Sequence, residues 1–280
     1  MKCIICSGKM YRLPLINEIS RYNGKKYPLF KCSNCDFIRP NPLPFEDHSA
    51  IDFYDEGSNI KFYDKKLKDI DRTTKEYKYY YKYGKPFLNF IDKYKMKGKS
   101  LDVGCGPGHL MELQRNKGIK VEGMEVSRLL VKLLEKQGFK MHYGLLGSLK
   151  LPKYDIITMN QVLEHIEKPE EAIKAINKAL NPKGYCIIAV PYIYGIIPQI
   201  LRSKWYGLGY GQHLNFFSKK SIKMLLQRNG LKVKEIKVLS VDYTHAKFPF
   251  FFNLIASFIM KVNIILGLGD NLFVVAQKIR

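Results

Sequence analysis

Acidic side chains are scarce in this sequence: 25 Asp and Glu stand against 47 Lys and Arg, for a formal charge of +22 over 280 residues. A surplus of that size repels cations and favours anionic partners, among them nucleic acid, phosphorylated or nucleotide-linked molecules and acidic membrane surfaces. Lys far outnumbers Arg and is spread along the whole chain, so the charge marks no single patch. Long apolar runs are lacking too. The nearest is 248–261, which Pro249, Asn253 and Lys261 interrupt before it reaches spanning length. No apolar leader core follows Met1, so the cytoplasm is the expected compartment, and there cysteines stay reduced. The segment 248–266 is then read as a lid, an oligomer contact, simple core packing, or a helix lying on the inner membrane face.

What is present begins with those cysteines. Cys3-Ile4-Ile5-Cys6 and Cys32-Ser33-Asn34-Cys35 are two CxxC knuckles with twenty-five residues between them. Each knuckle offers two thiolates on a tight turn, and two such turns close a four-coordinate Zn2+ site with no position left open for water. Asn23-Gly24 between them is a hairpin signal. A small zinc-ribbon-like module is predicted over 1–45, ending in the stiff linker Arg39-Pro40-Asn41-Pro42-Leu43-Pro44. Residues 46–98 are rich in Lys and Tyr. Tyr77, Tyr80, Tyr81, Gly84, Leu88 and Ile91 fall at helical spacing, which favours helices packed over a sheet edge above a nucleic-acid surface.

The rest of the chain, 99–280, is organised around Lys99 to Leu110. Ser100 to Val103 reads as a buried strand; it breaks into Gly104-Cys105-Gly106-Pro107-Gly108, and a helical pattern follows until Gly118. Glycines at a strand-to-helix turn let a ligand lie against the backbone. Strand, turn and helix together form the ligand corner of a Rossmann-like α/β fold. The predicted sheet has seven strands, mostly parallel, with an antiparallel finish. After the first come Ile119 to Met124, Phe139 to Tyr143, Tyr154 to Met159, Tyr185 to Val190, Leu231 to Val241 and Asn271 to Ile279. Predicted helices run from Ser127 to Gly138, Pro169 to Leu180 and Ser218 to Gly230. The stretches 191–217 and 242–269 are insertions, and the first carries the one tryptophan, Trp205.

The turn is spaced GxGxG, with Asp102 two positions before the first glycine, whereas the dinucleotide fingerprint is GxGxxG. It resembles motif I of the class I S-adenosylmethionine-dependent methyltransferases. Glu125 stands where that family has an acid for both ribose hydroxyls. The order Tyr154 to Met159, then Val162-Leu163-Glu164-His165-Ile166, then Pro169, is similar to the family's strand, "vLEHi" and helix. His213-Leu214-Asn215-Phe216-Phe217-Ser218 resembles its "HLxxFS" at the mouth of the substrate pocket.

The resemblance implies S-adenosylmethionine as cofactor, held by Asp102, Gly104, Cys105, Gly106, Gly108, Glu125 and Asn160. No acid follows the third strand at Gly144-Leu145-Leu146-Gly147-Ser148, which leaves the adenine contact to backbone or Ser148. It also implies a base beside the reacting methyl group. His165 is the first candidate, with Glu164 to orient it or accept substrate hydroxyls, and His213 is the second. Sugar C-methyltransferases with a similar zinc-binding N-terminus are thought to use the matching histidine as base. Ubiquinone-type O-methyltransferases hold a divalent metal in an E-x-x-E-H cluster, whose first acid is Gln161 here. Methyl transfer to a hydroxyl or carbon of a sugar-like or lipid-linked small molecule is the expected activity, with the Trp205–His213 segment as roof. The alternative is a zinc-containing RNA base methyltransferase, which +22 would suit.

Overall fold

The computed structural model describes residues 1–19, 25–44, 75–239 and 269–279. The Asn23-Gly24 turn and the segment 248–266 lie outside the described residues. The main sheet has seven strands: β4 (Lys99–Val103), β5 (Lys120–Glu125), β6 (Lys140–Tyr143), β7 (Tyr154–Asn160), β8 (Leu180–Pro191), β9 (Leu231–Leu239) and β10 (Asn271–Lys278). Their order is β6-β5-β4-β7-β8-β10-β9. Strands β4 to β8 pair in parallel, and β10 runs antiparallel to both its neighbours, β8 and β9. This is the Rossmann-like arrangement expected from the sequence.

Helix α1 (Lys75–Lys93) crosses one face of this sheet, and α2 (His109–Asn116), α3 (Arg128–Lys136), α4 (Pro169–Ala179), α5 (Ile196–Leu201) and α6 (Lys219–Arg228) follow. The caps are those the side chains predict. Ser127 accepts from Leu130 N, and Ser218 forms a reciprocal box with Ser221, each satisfying donors that a helix start leaves open. Strand β8 begins earlier than expected, at Leu180. The turn residues 181–184 are absorbed into it as an irregularity of register, with Lys183 at φ +62°.

The packing reading of the Lys/Tyr-rich segment holds where that segment is described. Gly84, Phe87, Leu88 and Ile91 of α1 are buried, while Tyr81 is exposed rather than inward. Phe273 of β10 meets Phe87 and Phe90 with ring centroids 5.5 and 6.3 Å apart.

At the amino end of the parallel strands one buried carboxylate ties four of them together. Glu122 of β5 accepts from Tyr154 Oη at 2.7 Å, meets His142 Nε2 at 2.9 Å, and pairs with Lys99 Nζ at 2.7 Å and Lys140 Nζ at 3.3 Å. Burial alone would raise its pKa, but these partners, Lys99 foremost, outweigh burial and hold it at about 2. The opposite, carboxyl end carries the glycine turn.

The N-terminal unit is a three-stranded antiparallel sheet, β1 (Met10–Ile19), β2 (Lys26–Cys32) and β3 (Ile38–Pro40). Ile19 pairs with Lys26 across the hairpin. Arg39 and Pro40, read from sequence as the start of a linker, are the end of β3, and Arg39 is buried. Cys3, Cys32, Cys35 and Phe37 share one hydrophobic cluster with Phe217, Ile222 and the strands of the main sheet. Trp205 is buried in another, with Leu29, Ile38, Leu208 and Phe216. Two backbone hydrogen bonds between Ile38 and Phe216, at 3.0 and 2.9 Å, join the N-terminal sheet to the rest.

Because Phe273 is the seat of α1 on the sheet, Phe273→Ala is expected to cost about 3–5 kcal/mol in chemical denaturation. A loss below 1 kcal/mol would mean that α1 does not depend on this contact.

Candidate active site

The parallel register brings the ends of β4, β5 and β7 to one edge, with Val103 opposite both Met124 and Met159. The glycine turn leaves β4 there. Gly104 N and Cys105 N donate to Met124 O at 2.8 and 3.2 Å. At Gly104 a Cβ would lie 2.5 Å from Val162 Cγ2, whereas at Gly106, φ +52°, it would meet nothing within 4 Å. The second glycine therefore faces open space beside a bare backbone, as a ligand cradle requires.

Two buried carboxylates flank the turn. Glu125 Oε2 accepts from Gly106 N at 2.8 Å, and Oε1 accepts from Val126 N at 2.8 Å and Ser127 N at 3.1 Å. A carboxylate oxygen has two lone pairs. Oε1 is thus filled by backbone and Oε2 keeps one acceptor direction, so Glu125 braces the turn as well as facing it. Asp102 ends a fully buried chain: Ser100 Oγ donates to Gln114 Oε1 at 2.6 Å, Gln114 Nε2 to Thr158 Oγ1 at 3.4 Å, and Thr158 Oγ1 to Asp102 Oδ1 at 2.6 Å. Burial raises Asp102 to about 7 against the Thr158 hydrogen bond, which lowers it. The Cys105 thiol is pushed well up by burial, so it is no nucleophile at neutral pH.

After β7, which ends at Asn160, a single tight 3-10 turn (Leu163–His165) carries the remaining candidates. Adjacent residues of an α-helix do not share a face. In this turn His165 Nε2 nevertheless lies 3.9 Å from Glu164 Oε1. His213 comes in from the long connection after β8, and the two imidazoles meet edge to face with centroids 4.7 Å apart. His165 Nδ1 sits 2.9 Å from Gln212 O, and His213 Nδ1 sits 2.8 Å from Gly207 O. A carbonyl can only accept, so each Nδ1 carries the proton and Nε2 is the basic nitrogen of each ring. Burial pushes His165 down to about 4, and burial together with His165 pushes His213 to about 3. Glu164 is fully buried, and neither of its oxygens has a hydrogen-bond partner among the described residues. Burial raises it to about 8.

Carboxylate and imidazole donors of Glu164, His165 and His213 lie within 4.8 Å of one another, a set that suits a divalent metal. Gln161 takes no part: its Nε2 donates to Asn271 Oδ1 at 2.9 Å. A second such group lies in the N-terminal unit, where the thiols of Cys3, Cys6, Cys32 and Cys35 also lie within 4.8 Å of one another. Ile5 N and Asn34 N donate to Cys3 Sγ and Cys32 Sγ, both at 3.4 Å, bonds that favour thiolates. Crowding splits the thiols. The hydrogen bond between Cys3 and Cys35 lowers Cys3 to about 5 and raises Cys35.

The turn, Asp102, Glu125 and the start of the 160–167 loop thus share one edge, and His213 joins His165 from outside. Sequence reasoning missed Thr158, Arg39 and Asn215. A β-branched polar residue in an otherwise apolar strand was the available signal for Thr158. Arg39 and Asn215 had none.

Residues 75–236 match the family model described as a methyltransferase domain, which is more than half of the chain. The chain belongs to this family and is an S-adenosylmethionine-dependent methyltransferase. Among curated proteins it is similar to a ubiquinone biosynthesis O-methyltransferase of Nitrosospira multiformis, 26% identical over 183 residues, covering 55% of this chain and 72% of that protein. A similar enzyme of Idiomarina loihiensis is 25% identical over 164 residues, covering 53% and 67%. The fold is shared with a methyltransferase of Archaeoglobus fulgidus, 21% identical with a TM-score of 0.53, covering 70% of this chain and 92% of that one. It is shared also with one of Clostridium acetobutylicum, 15% identical, TM-score 0.51, covering 78% and 98%. No helix among the described residues is long and apolar enough to cross a membrane.

Glu164 makes stability depend on pH. Its carboxyl ionises near 4.5 when unperturbed and at about 8 in the fold, so between these values only the folded state holds the proton. Stability then falls as pH rises, by about 1.4 kcal/mol per unit. The lowered histidines act in the opposite sense, but only below 6.5. From pH 6.5 to 8, wild type treated with chelator is expected to lose about 2 kcal/mol more stability than Glu164→Gln. Parallel denaturation curves for the two would mean that Glu164 is ionised in the fold.

Proposed function

We propose that the chain methylates a hydroxyl group of a small-molecule acceptor, with His165 as the general base. The observation that carries this reading is the pair of neutral imidazoles at the end of β7, each with Nδ1–H fixed on a backbone carbonyl and Nε2 as its basic nitrogen. Bound S-adenosylmethionine supplies a methyl group on a positively charged sulfur. The acceptor oxygen must shed its proton as its bond to that methyl forms. The proton can pass to Nε2 of His165, the ring nitrogen that the Gln212 carbonyl leaves without one. Much of the remaining acceleration comes from holding the two reactants in line. The names of the relatives, O-methyltransferases of ubiquinone biosynthesis, support oxygen over carbon. Sugar-like and lipid-linked hydroxyl compounds are one subset of the acceptors this site would accept.

On this reading Asp102 faces the cofactor ammonium and the turn from Gly104 to Gly108, with Cys105, cups the methionine part. Glu125 Oε2 accepts a ribose hydroxyl with its remaining lone pair, and Asn160 lines the neighbouring strand end. Glu125→Gln is the informative variant, since the turn keeps a polar brace. It is expected to weaken cofactor binding by about 1.5–3 kcal/mol, read by calorimetry. His165→Ala should leave cofactor affinity within about twofold and lose turnover, the pattern of a group acting in the transition state. Methyl transfer from labelled cofactor to phenolic, sugar and RNA acceptors, assayed side by side, tests the acceptor class. Methylation of RNA alone would overturn the small-molecule reading.

The N-terminal thiols support a structural Zn2+ held by Cys3, Cys6, Cys32 and Cys35. Four sulfurs converge within 4.8 Å of one another, a set that fills a tetrahedral shell, and a Cβ at Gly8 would crowd Cys32 Sγ at 3.0 Å and Cys6 Sγ at 3.3 Å. Elemental analysis of protein purified without chelator is expected to find one zinc per chain. Its absence there would refute the site.

A further inference from the structure

The loop from Val162 to Glu167 has little hydrogen bonding of its own. Two bonds close its single turn, His165 N to Val162 O at 3.0 Å and Ile166 N to Leu163 O at 3.4 Å. The carbonyls of Leu163, Glu164, Ile166 and Glu167 accept from outside the loop. Asn215, 1% exposed, donates Nδ2–H to Leu163 O at 3.3 Å, Glu164 O at 3.4 Å and Ile166 O at 2.6 Å. The amides of Leu214 and Asn215 add two more bonds to Glu164 O, at 2.8 and 3.0 Å. Asn215 is in turn oriented by Arg39. The Arg39 Nη1 group donates to Asn215 Oδ1 at 3.2 Å and directly to the loop at Glu167 O, 2.9 Å.

Arg39 belongs to β3 of the N-terminal sheet, four residues after Cys35, and is 8% exposed. Burying a guanidinium is costly unless its hydrogen bonds are made, and burial already lowers the Arg39 pKa. Apolar contacts such as Phe37 against Phe217, centroids 5.4 Å apart, also dock the sheet. What they cannot do is satisfy carbonyls that point out of a turn with no ladder of its own. A charged donor answers that need, because hydrogen bonds to charged groups are stronger than neutral ones.

We propose that Arg39, acting through Asn215, is a positioning residue that makes the N-terminal cysteine unit the holder of the loop carrying Glu164 and His165. This rests on the reading of His165 as base only for its consequence in turnover; the positioning itself is read without an acceptor. Arg39 acts on the loop through Glu167 O and Asn215 Oδ1, and its part is indirect. It sets where the loop carbonyls lie, and with them the direction in which His165 presents Nε2.

The test compares wild type, Arg39→Met and Arg39→Lys as full chains by hydrogen exchange and imidazole NMR. Arg39→Met is expected to speed exchange of the His165 and Ile166 amides at least tenfold while leaving β4 and β7 amides unchanged. It should broaden or shift the His165 Nδ1 proton resonance and leave S-adenosylhomocysteine affinity within about twofold. Arg39→Lys, which keeps one charged donor, should fall between the two, and it carries the comparison if Arg39→Met does not fold. Unchanged loop exchange and an unchanged His165 resonance, with a lowered unfolding midpoint, would overturn the proposal and leave Arg39 merely structural. The two readings fail separately. Full turnover in His165→Ala refutes the base whatever Arg39 does, and a rigid loop in Arg39→Met refutes the positioning whatever His165 does.

Discussion

Parallel pairing of β4, β5 and β7 forces three neighbouring strand exits onto one edge of the sheet, and the rest of the molecule is arranged around that edge. Each exit leaves backbone amides without strand partners, and each contributes a polar group: the glycine turn, Glu125, and the loop after Asn160. The other edge is closed by Glu122 and its lysine, tyrosine and histidine partners. Charge there is spent on holding strands together. At the exit edge it is left poised.

That poise comes from burial. Glu164 at about 8, Asp102 at about 7 and His165 at about 4 are all moved toward their neutral forms. Desolvation is the first cause in each case, and the partners present do not offset it. A cationic ligand placed beside such carboxyls would restore their ionised form, which burial disfavours.

The N-terminal unit enters this arrangement as part of the core. Its cysteines, Phe37 and Ile38 pack with residues more than 170 positions later, and Ser218 Oγ donates to Cys35 O at 2.7 Å at the start of α6. The same helix start therefore ends the segment that brings His213 and Asn215 to the loop.

Much of this was written locally. The GxGxG turn after an apolar strand, the Ser127 and Ser218 caps, the burial spacing of Gly84, Leu88 and Ile91, and the two CxxC knuckles are short-range patterns set by backbone sterics and helical period. They determined the fold class, the glycine turn at the strand edge and the four-cysteine cluster. The tertiary structure alone decided which histidine nitrogens carry protons, because Gln212 and Gly207 carbonyls choose the tautomers. It decided that Glu125 has one free acceptor direction rather than two, that Gln161 turns to Asn271, and that Arg39 is a buried strand residue instead of a linker. These are contacts between residues far apart in the chain. Their energies depend on burial and on the neighbours that folding supplies, and neither quantity is carried by any short window of sequence.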